Sequence, residues 1–209
     1  MSITAAQGFR AAGVAAGIKA SGRLDLALVV NQGPRFDAAG VFTSNRVFAA
    51  PVAWSRQALA DGRLQAVVLN SGGANACTGR EGYQDTVAAA HRVASAVGCD
   101  PDAVGVCSTG LIGVRLPMEA LLAGVDQAHL VLADAGGDDA ARAIMTTDTV
   151  PKQASVQGVG GYTIGGMAKG AGMLAPALAT MLVVLTTDAV IDSPTLQASL
   201  EQATALTFD

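Results

Sequence analysis

Apolar residues in this chain come in short runs, and the breaks between them are rich in Gly, Ser, Asn and Asp. That pattern predicts short strands interspersed with helices. Gly8 to Gly22 alternates glycine, alanine and small apolar residues, which predicts an extended segment turning at Ser21-Gly22. Leu24 to Val30 predicts a strand, closed by Asn31-Gln32-Gly33-Pro34. Gly40–Thr43 and Ala50–Trp54 predict two further short strands, the second followed by a helix over Ser55–Ala60 with Ser55 as its N-cap. Gln65–Asn70 is strongly apolar and predicts a central strand that runs into the glycine-rich loop Ser71–Gly79.

The clearest helix is expected over Tyr83–Val97, where Val87, Ala90, His91, Ala94 and Val97 share one stripe, with His91 at its buried edge. Ala103–Cys107 reads as a strand leading into the loop Ser108–Gly113. Pro117–Leu132 reads as an amphipathic helix with Pro in its first turn. Asp138 or Asp139 caps another helix ending at Ile144. Gln153–Val156 and Tyr162–Ile164 form a hairpin around Gly158–Gly161, and Thr180–Thr187 is the next strand. A last helix, Ser193–Thr207, carries Leu196, Leu200, Ala203 and Leu206 on one face. Regular β-α alternation is missing, so the expected class is mixed α/β (α+β), with helix layers around central β-sheets.

Composition narrows the function. In 209 residues, 51% are hydrophobic and 14% charged, which suits a packed core and argues against disorder. Net charge is −4, Lys and Arg do not cluster, and aromatics make up 4%, so nucleic acid is not an expected partner. Cys77, Cys99 and Cys107 lack C-x-x-C spacing and read as reduced, buried thiols of a cytoplasmic protein. His91 and His129 lack metal-ligand spacing, so no metal is expected. Gly170–Thr187 is uncharged, but Pro176 and its glycines favour a loop and buried strand over a membrane span. No secretory leader is expected from Met1-Ser2-Ile3-Thr4.

Several polar residues in apolar surroundings are candidates for chemistry. Ser71–Gly79 fits neither a Walker loop nor G-x-G-x-x-G, and by itself reads as a structural turn. Thr109-Gly110 either caps a following helix or offers a hydroxyl and an N–H to an oxyanion. Thr146, in Met145-Thr146-Thr147-Asp148, could be part of a polar turn alone. Lys169 is the one charge in its glycine-rich stretch, either snorkelling or functional. Thr180 opens an apolar run and by itself reads as a packing residue.

Four motifs, around Asn70, Thr109, Thr146 and the Lys169–Thr180 pair, together change the weighting. Met167 to Leu182 contains Ala-Lys-Gly-x-Gly-Met-Leu-x-Pro-x-x-Ala-Thr-Met-Leu, which resembles the self-cleavage region of the ornithine acetyltransferases (glutamate N-acetyltransferases) of arginine biosynthesis. The family's Asn-Ser-Gly-x-Ala-Asn-Ala, Ser-Thr-Gly-x-Ile-Gly and Ile-Met-Thr-Thr-Asp-x-x-Pro-Lys motifs are matched around Asn70, Thr109 and Thr146. The resemblance implies a precursor cut between Ala179 and Thr180, giving an α-chain of residues 1–179 and a β-chain that begins at Thr180. It implies Thr180 as nucleophile, Thr109 and Gly110 as the oxyanion pair, Thr146, Lys169 and Thr180 as substrate-binding residues, and Asn70 and Asn75 as supports.

The implied reaction moves an acetyl group from N2-acetylornithine to glutamate through an acetyl-Thr180 ester. It needs no metal or organic cofactor, and acetyl-CoA is an alternative donor in the family. A heterotetramer or larger assembly of the two fragments is implied, with neither a nucleic-acid nor a membrane partner. The chemistry is coherent: a Thr hydroxyl needs an adjacent base, and the free α-amine created by cleavage titrates at about 7.7–8.0. The family also continues well past the nucleophile, so the chain reads as truncated on its C-terminal side. A self-processing amidohydrolase or aminopeptidase, and a non-enzymatic binding subunit, are the alternatives.

Overall fold

The computed structural model describes residues 2–171 and 180–207. Strands β1 (Phe9–Val14), β2 (Leu26–Asn31), β3 (Ala66–Gly73) and β4 (Val104–Leu111) form a four-stranded sheet in that order. The β1–β2 and β2–β3 pairs are antiparallel, whereas β3–β4 is parallel. Helices α1 (Ala50–Ala58), α2 (Gly79–Val97), α3 (Met118–Leu130) and α4 (Gly137–Ala143) pack around it. Strands β5 (Lys152–Gln157), β6 (Thr163–Lys169) and β7 (Leu182–Thr187) make a second, antiparallel sheet of three strands, and α5 (Ser193–Ala205) follows. The mixed α/β class with helices layered on sheets is the observed architecture.

The apolar run of β2 has no polar alternation because both its faces are covered. Leu26, Leu28 and Val30 enter one core cluster with Ala90 and Val93 of α2 and Leu121 and Val125 of α3. Ala27 and Val29 point the other way, into a second cluster with Ala140, Ala141 and Ala143 of α4, Ile144, and Met167 of β6. Met167, with the partly buried Leu182 and Val184 of β7 beside it, therefore links the second sheet to the first. Each such Leu, Val or Met contributes roughly 1.5–3 kcal/mol of transfer free energy when fully buried.

Strand β4 lies at the edge of its sheet, where unpaired backbone groups invite unwanted pairing. Helix α1 covers it. Trp54 Nε1 donates to the Val104 carbonyl at 2.9 Å, and Ser55 Oγ both accepts from Val106 N–H at 2.9 Å and donates to its carbonyl at 2.7 Å.

Several local expectations are corrected. Ala50–Trp54 is helical, not a strand: Pro51 sits in the first turn of α1, and Trp54 and Ser55 reach β4 from one helix face. Ser55 is inside the helix, so it caps nothing. Gly40–Thr43 is not a strand; the local bridge joins Asp37 to Arg63. Strands β3 and β4 run on through Gly73 and Leu111, so Thr109-Gly110 is strand backbone, not loop. His91 is exposed, because the buried stripe of α2 follows Thr86, Ala89, Ala90, Val93 and Ala94. Asp138 and Asp139 lie in the first turn of α4, whose N-cap is Gly136. Cys77 is exposed, and all three thiols are free. On α5, Ala203 and Leu206 face solvent, and Thr204 is its buried residue.

Removing the Ser55 hydroxyl should expose the β4 edge to an unmet hydrogen-bonding demand. Ser55→Ala is expected to lower unfolding free energy by about 1–3 kcal/mol, read from the urea midpoint at unchanged slope.

Candidate active site

Three elements meet at the far end of β3 and β4. The parallel register sets Ser71 beside Thr109 and Gly72 beside Gly110. Gly110 has φ +135°, and a Cβ there would lie 2.4 Å from the Gly72 carbonyl carbon. A glycine is required by both backbone conformation and space. Thr109 is 2% exposed, and Gly110 beside it is open to solvent. A buried hydroxyl thus adjoins an exposed residue without a side chain.

Lys169, the last residue of β6, reaches this point from the second sheet. Its Nζ donates to Thr109 Oγ1 at 3.3 Å, and Lys169 is 5% exposed. Burial pulls the Lys169 ammonium below the usual lysine range; the Asp148 charge opposes that shift and the Lys152 charge adds to it.

Asp148 organises the other side. Its carboxylate accepts from Lys152 Nζ at 2.5 Å, Gly170 N–H at 2.8 Å and Thr146 N–H at 3.1 Å. One buried side chain therefore ties the backbone of Thr146 to the residue after Lys169. Burial works to raise its pKa, but the Lys152, Gly170 and Thr146 hydrogen bonds and the Lys152 charge bring it down to about 2.

Thr146 itself is half-buried, and its turn is held from behind. Lys19 Nζ donates to Met145 O at 2.7 Å and to Leu24 O at 3.0 Å. Asp25, fully buried, accepts from Ala16 N–H at 2.7 Å and Lys19 N–H at 2.8 Å, which folds the loop that presents Lys19. Burial lowers the Lys19 pKa, with Asp25 and Asp148 acting against that and Arg23 and Lys169 adding to it.

Asn70 and Asn75 are braces. Asn70 accepts from Ser108 Oγ at 2.6 Å and donates to Gly73 O at 2.9 Å, clamping the strand ends on either side of Thr109. Asn75, at φ +47°, donates to Gly82 O and Thr86 Oγ1 and accepts from Thr78 Oγ1, so it anchors the start of α2. Thr180 is exposed; the β6–β7 register pairs Lys169 with Leu182, which sets Thr180 two residues from the Lys169 end of the sheet. Among the described residues no hydrogen bond joins Thr180 to Thr109 or Lys169. Ala179, the other side of the expected cleavage site, lies outside the described residues.

The structure thus joins Thr109, Gly110 and Lys169 directly, and Thr146 to them through Asp148. Lys19, Asp25 and Asp148 were not singled out in the sequence. A signal for Asp25 was there: a carboxylate between Leu24 and Leu26, inside an apolar run, is buried only when its acceptors are filled. Lys19 had no such signal, since its partner Met145 is 126 residues away.

Comparison with known proteins gives the family. The sequence model of the ArgJ family matches residues 10–209, and the chain belongs to that family. It is 63% identical to the arginine biosynthesis bifunctional protein ArgJ of Mycolicibacterium paratuberculosis over 99% of this chain and 53% of that protein. Against the protein of the same name from Streptomyces coelicolor, identity is 63% over 100% of this chain and 54% of the relative. The chain therefore spans about half the length of the curated relatives it matches. A crystal structure of ornithine acetyltransferase complexed with ornithine, from Mycobacterium tuberculosis, superposes with TM-score 0.82 at 58% identity, covering 87% of this chain and 96% of that one. An ArgJ crystal structure from Bacillus halodurans gives TM-score 0.68 at 31% identity, covering 90% and 88%. Among the described residues no helix is long and apolar enough to cross a membrane.

Asp148→Asn should weaken the clamp on Thr146 and Gly170. Because the folded-state pKa is depressed, the carboxylate's contribution is fully present above about pH 4 and lost as pH falls toward 2. The variant is expected to be less stable by about 2 kcal/mol at pH 7. Its urea midpoint should converge on that of the wild type between pH 4 and 2.

Proposed function

We propose that this chain belongs to an acetyltransferase that carries an acetyl group from N2-acetylornithine to glutamate through an ester on Thr180. The observation that carries the reading is the buried contact of Lys169 Nζ with Thr109 Oγ1, beside a Gly110 that no other residue can replace. A hydroxyl, the backbone of an exposed glycine and a cation converge there, which suits a substrate carbonyl and carboxylate.

In this reading the chain first cuts itself. The Thr180 hydroxyl attacks the Ala179 carbonyl, the Ala179–Thr180 amide breaks to leave the Thr180 amine free and Ala179 as an ester on Thr180 Oγ, and water hydrolyses that ester to release the Ala179 carboxylate and restore the Thr180 hydroxyl. That amine then takes the Thr180 hydroxyl proton as the oxygen attacks the acetyl carbonyl of N2-acetylornithine. Thr109 Oγ1–H and Gly110 N–H hold the oxyanion, while Lys169 and Thr146 hold the substrate. Ornithine leaves with a proton from the amine. The glutamate amine attacks the acetyl-Thr180 ester, and N-acetylglutamate departs. No metal or organic cofactor takes part.

Two comparisons support this reading. The M. tuberculosis protein was crystallised with ornithine, and the chain matched there is no longer than this one, although curated relatives are about twice its length. A chain of that length suits a protein present as two fragments. The word "bifunctional" in the relatives' names suits acetyl-CoA as a second acetyl donor to glutamate. We place the protein in the cytoplasm, as two fragments of one precursor assembled into a heterotetramer or larger species.

A self-processing amidohydrolase would use the same nucleophile with water in place of glutamate. Intact mass and N-terminal sequencing of the complete gene product should reveal a fragment beginning Thr180-Met181-Leu182, absent in Thr180→Ala. Ornithine release from N2-acetylornithine should depend on glutamate. A chain that stays whole, or ornithine release at full rate without glutamate, would sink the transferase reading.

A further inference from the structure

Substrate binding leaves part of the Lys169 geometry unexplained. A side chain that only captured a carboxylate would need to face the substrate alone. Here its ammonium also touches the hydroxyl of Thr109, at 3.3 Å, with both residues buried.

The direction of that hydrogen bond is set by chemistry. An ammonium has three donors and no acceptor, whereas a threonine hydroxyl has one donor and two acceptor lone pairs. Lys169 must donate and Thr109 Oγ1 must accept. The hydroxyl proton is then barred from pointing at Lys169. Among the described residues it has no acceptor, so a buried donor is left waiting for one. An unmet buried donor is costly in the free protein and rewarding once a negative oxygen arrives.

We infer that Lys169 is a positioning residue for the oxyanion site: by donating to Thr109 Oγ1 it turns the Thr109 hydroxyl proton toward the reacting carbonyl oxygen. This deepens the acetyl-transfer reading above and rests on it. The cation also draws electron density from the hydroxyl, which makes that proton a stronger donor to a developing oxyanion. Asp148 has a part in it. Held ionised by Lys152, Gly170 and Thr146, it supplies the negative charge that favours the protonated, donor-only form of Lys169. Lys19 and Lys152 are the other cations in this field.

The test uses the complete gene product as wild type, Lys169→Met, Thr109→Val and the double variant. Two acetyl donors are compared: N2-acetylornithine, and N-acetylputrescine, which lacks the carboxylate. Thr109→Val is expected to lower kcat by about 10²–10³. Lys169→Met is expected to lower kcat on the order of tenfold or more with both donors, and to add little to Thr109→Val, because the two act as one unit. Lys169→Arg, also a donor without an acceptor, should recover most of the loss. If Lys169→Met does not fold, Lys169→Leu replaces it; it too has no donor for Thr109 Oγ1, so the same loss is expected.

The inference is overturned if the lysine variants raise only KM for N2-acetylornithine and leave kcat with N-acetylputrescine unchanged. It is equally overturned if the two losses multiply in the double variant. A wild type that transfers no acetyl group to glutamate overturns the underlying reading instead, and does so before any variant is compared.

Discussion

A buried ammonium is the constraint around which this end of the molecule is arranged. Lys169 lies at the tip of a strand whose sheet is otherwise poorly covered: Val156, Ile164 and Leu185 are all exposed. Those three side chains take no part in docking. Met167, with Leu182 and Val184 beside it, supplies the apolar contact to the second core cluster, and Lys169, two residues on along the same face as Met167, supplies a polar one. Burying that charge is tolerable because Thr109 accepts from it and the Asp148 carboxylate opposes it. The contact that seats one sheet on the other is also the contact that equips the site.

Close packing of backbone around that charge explains the glycines. Gly110 must come within touching distance of Gly72, and Gly72 has φ +106° with Ile18 and Lys19 against it. The strand ends therefore converge on the loop that presents Lys19, which in turn holds the Met145 carbonyl. Thr146, Lys169 and Thr109 come from segments far apart in the chain. They are kept in relative position by hydrogen bonds that Lys19 donates to Met145 O and Leu24 O and that the Asp25 and Asp148 carboxylates accept. Preorganisation of this kind lets a site stabilise charge without paying to reorder itself.

Much of this was legible along the chain. The β2 and β3 runs, the long α2 and the antiparallel β5–β6 hairpin follow from period and punctuation, because packing on both faces demands unbroken apolar residues. The errors share a cause. Ala50–Trp54 has the composition of a strand but forms a helix, since only a helix presents Trp54 and Ser55 together to the β4 edge. Thr109-Gly110 resembles a loop, yet it is strand, because β3 continues beside it and pairs with it. His91 falls on an apolar stripe by spacing, but the face that meets the sheet is set by Ala89, Ala90 and Val93. In each case a neighbour distant in sequence overrode a local preference.

By itself the sequence determined which residue types were present and at what spacing: the short polar motifs around Asn70, Thr109, Thr146, Lys169 and Thr180 can be read along the chain, and their resemblance to a known family is what singled them out. Residue type and local spacing are properties of the chain, so they can be read from it. Only the tertiary structure decided which of these meet. It set Lys169 on Thr109 across sixty residues, joined Thr146 to Gly170 through Asp148, and recruited Lys19 from near the N-terminus. Those pairings depend on how two sheets dock, and docking is governed by burial and hydrogen-bond satisfaction summed over the whole fold, which no local pattern records.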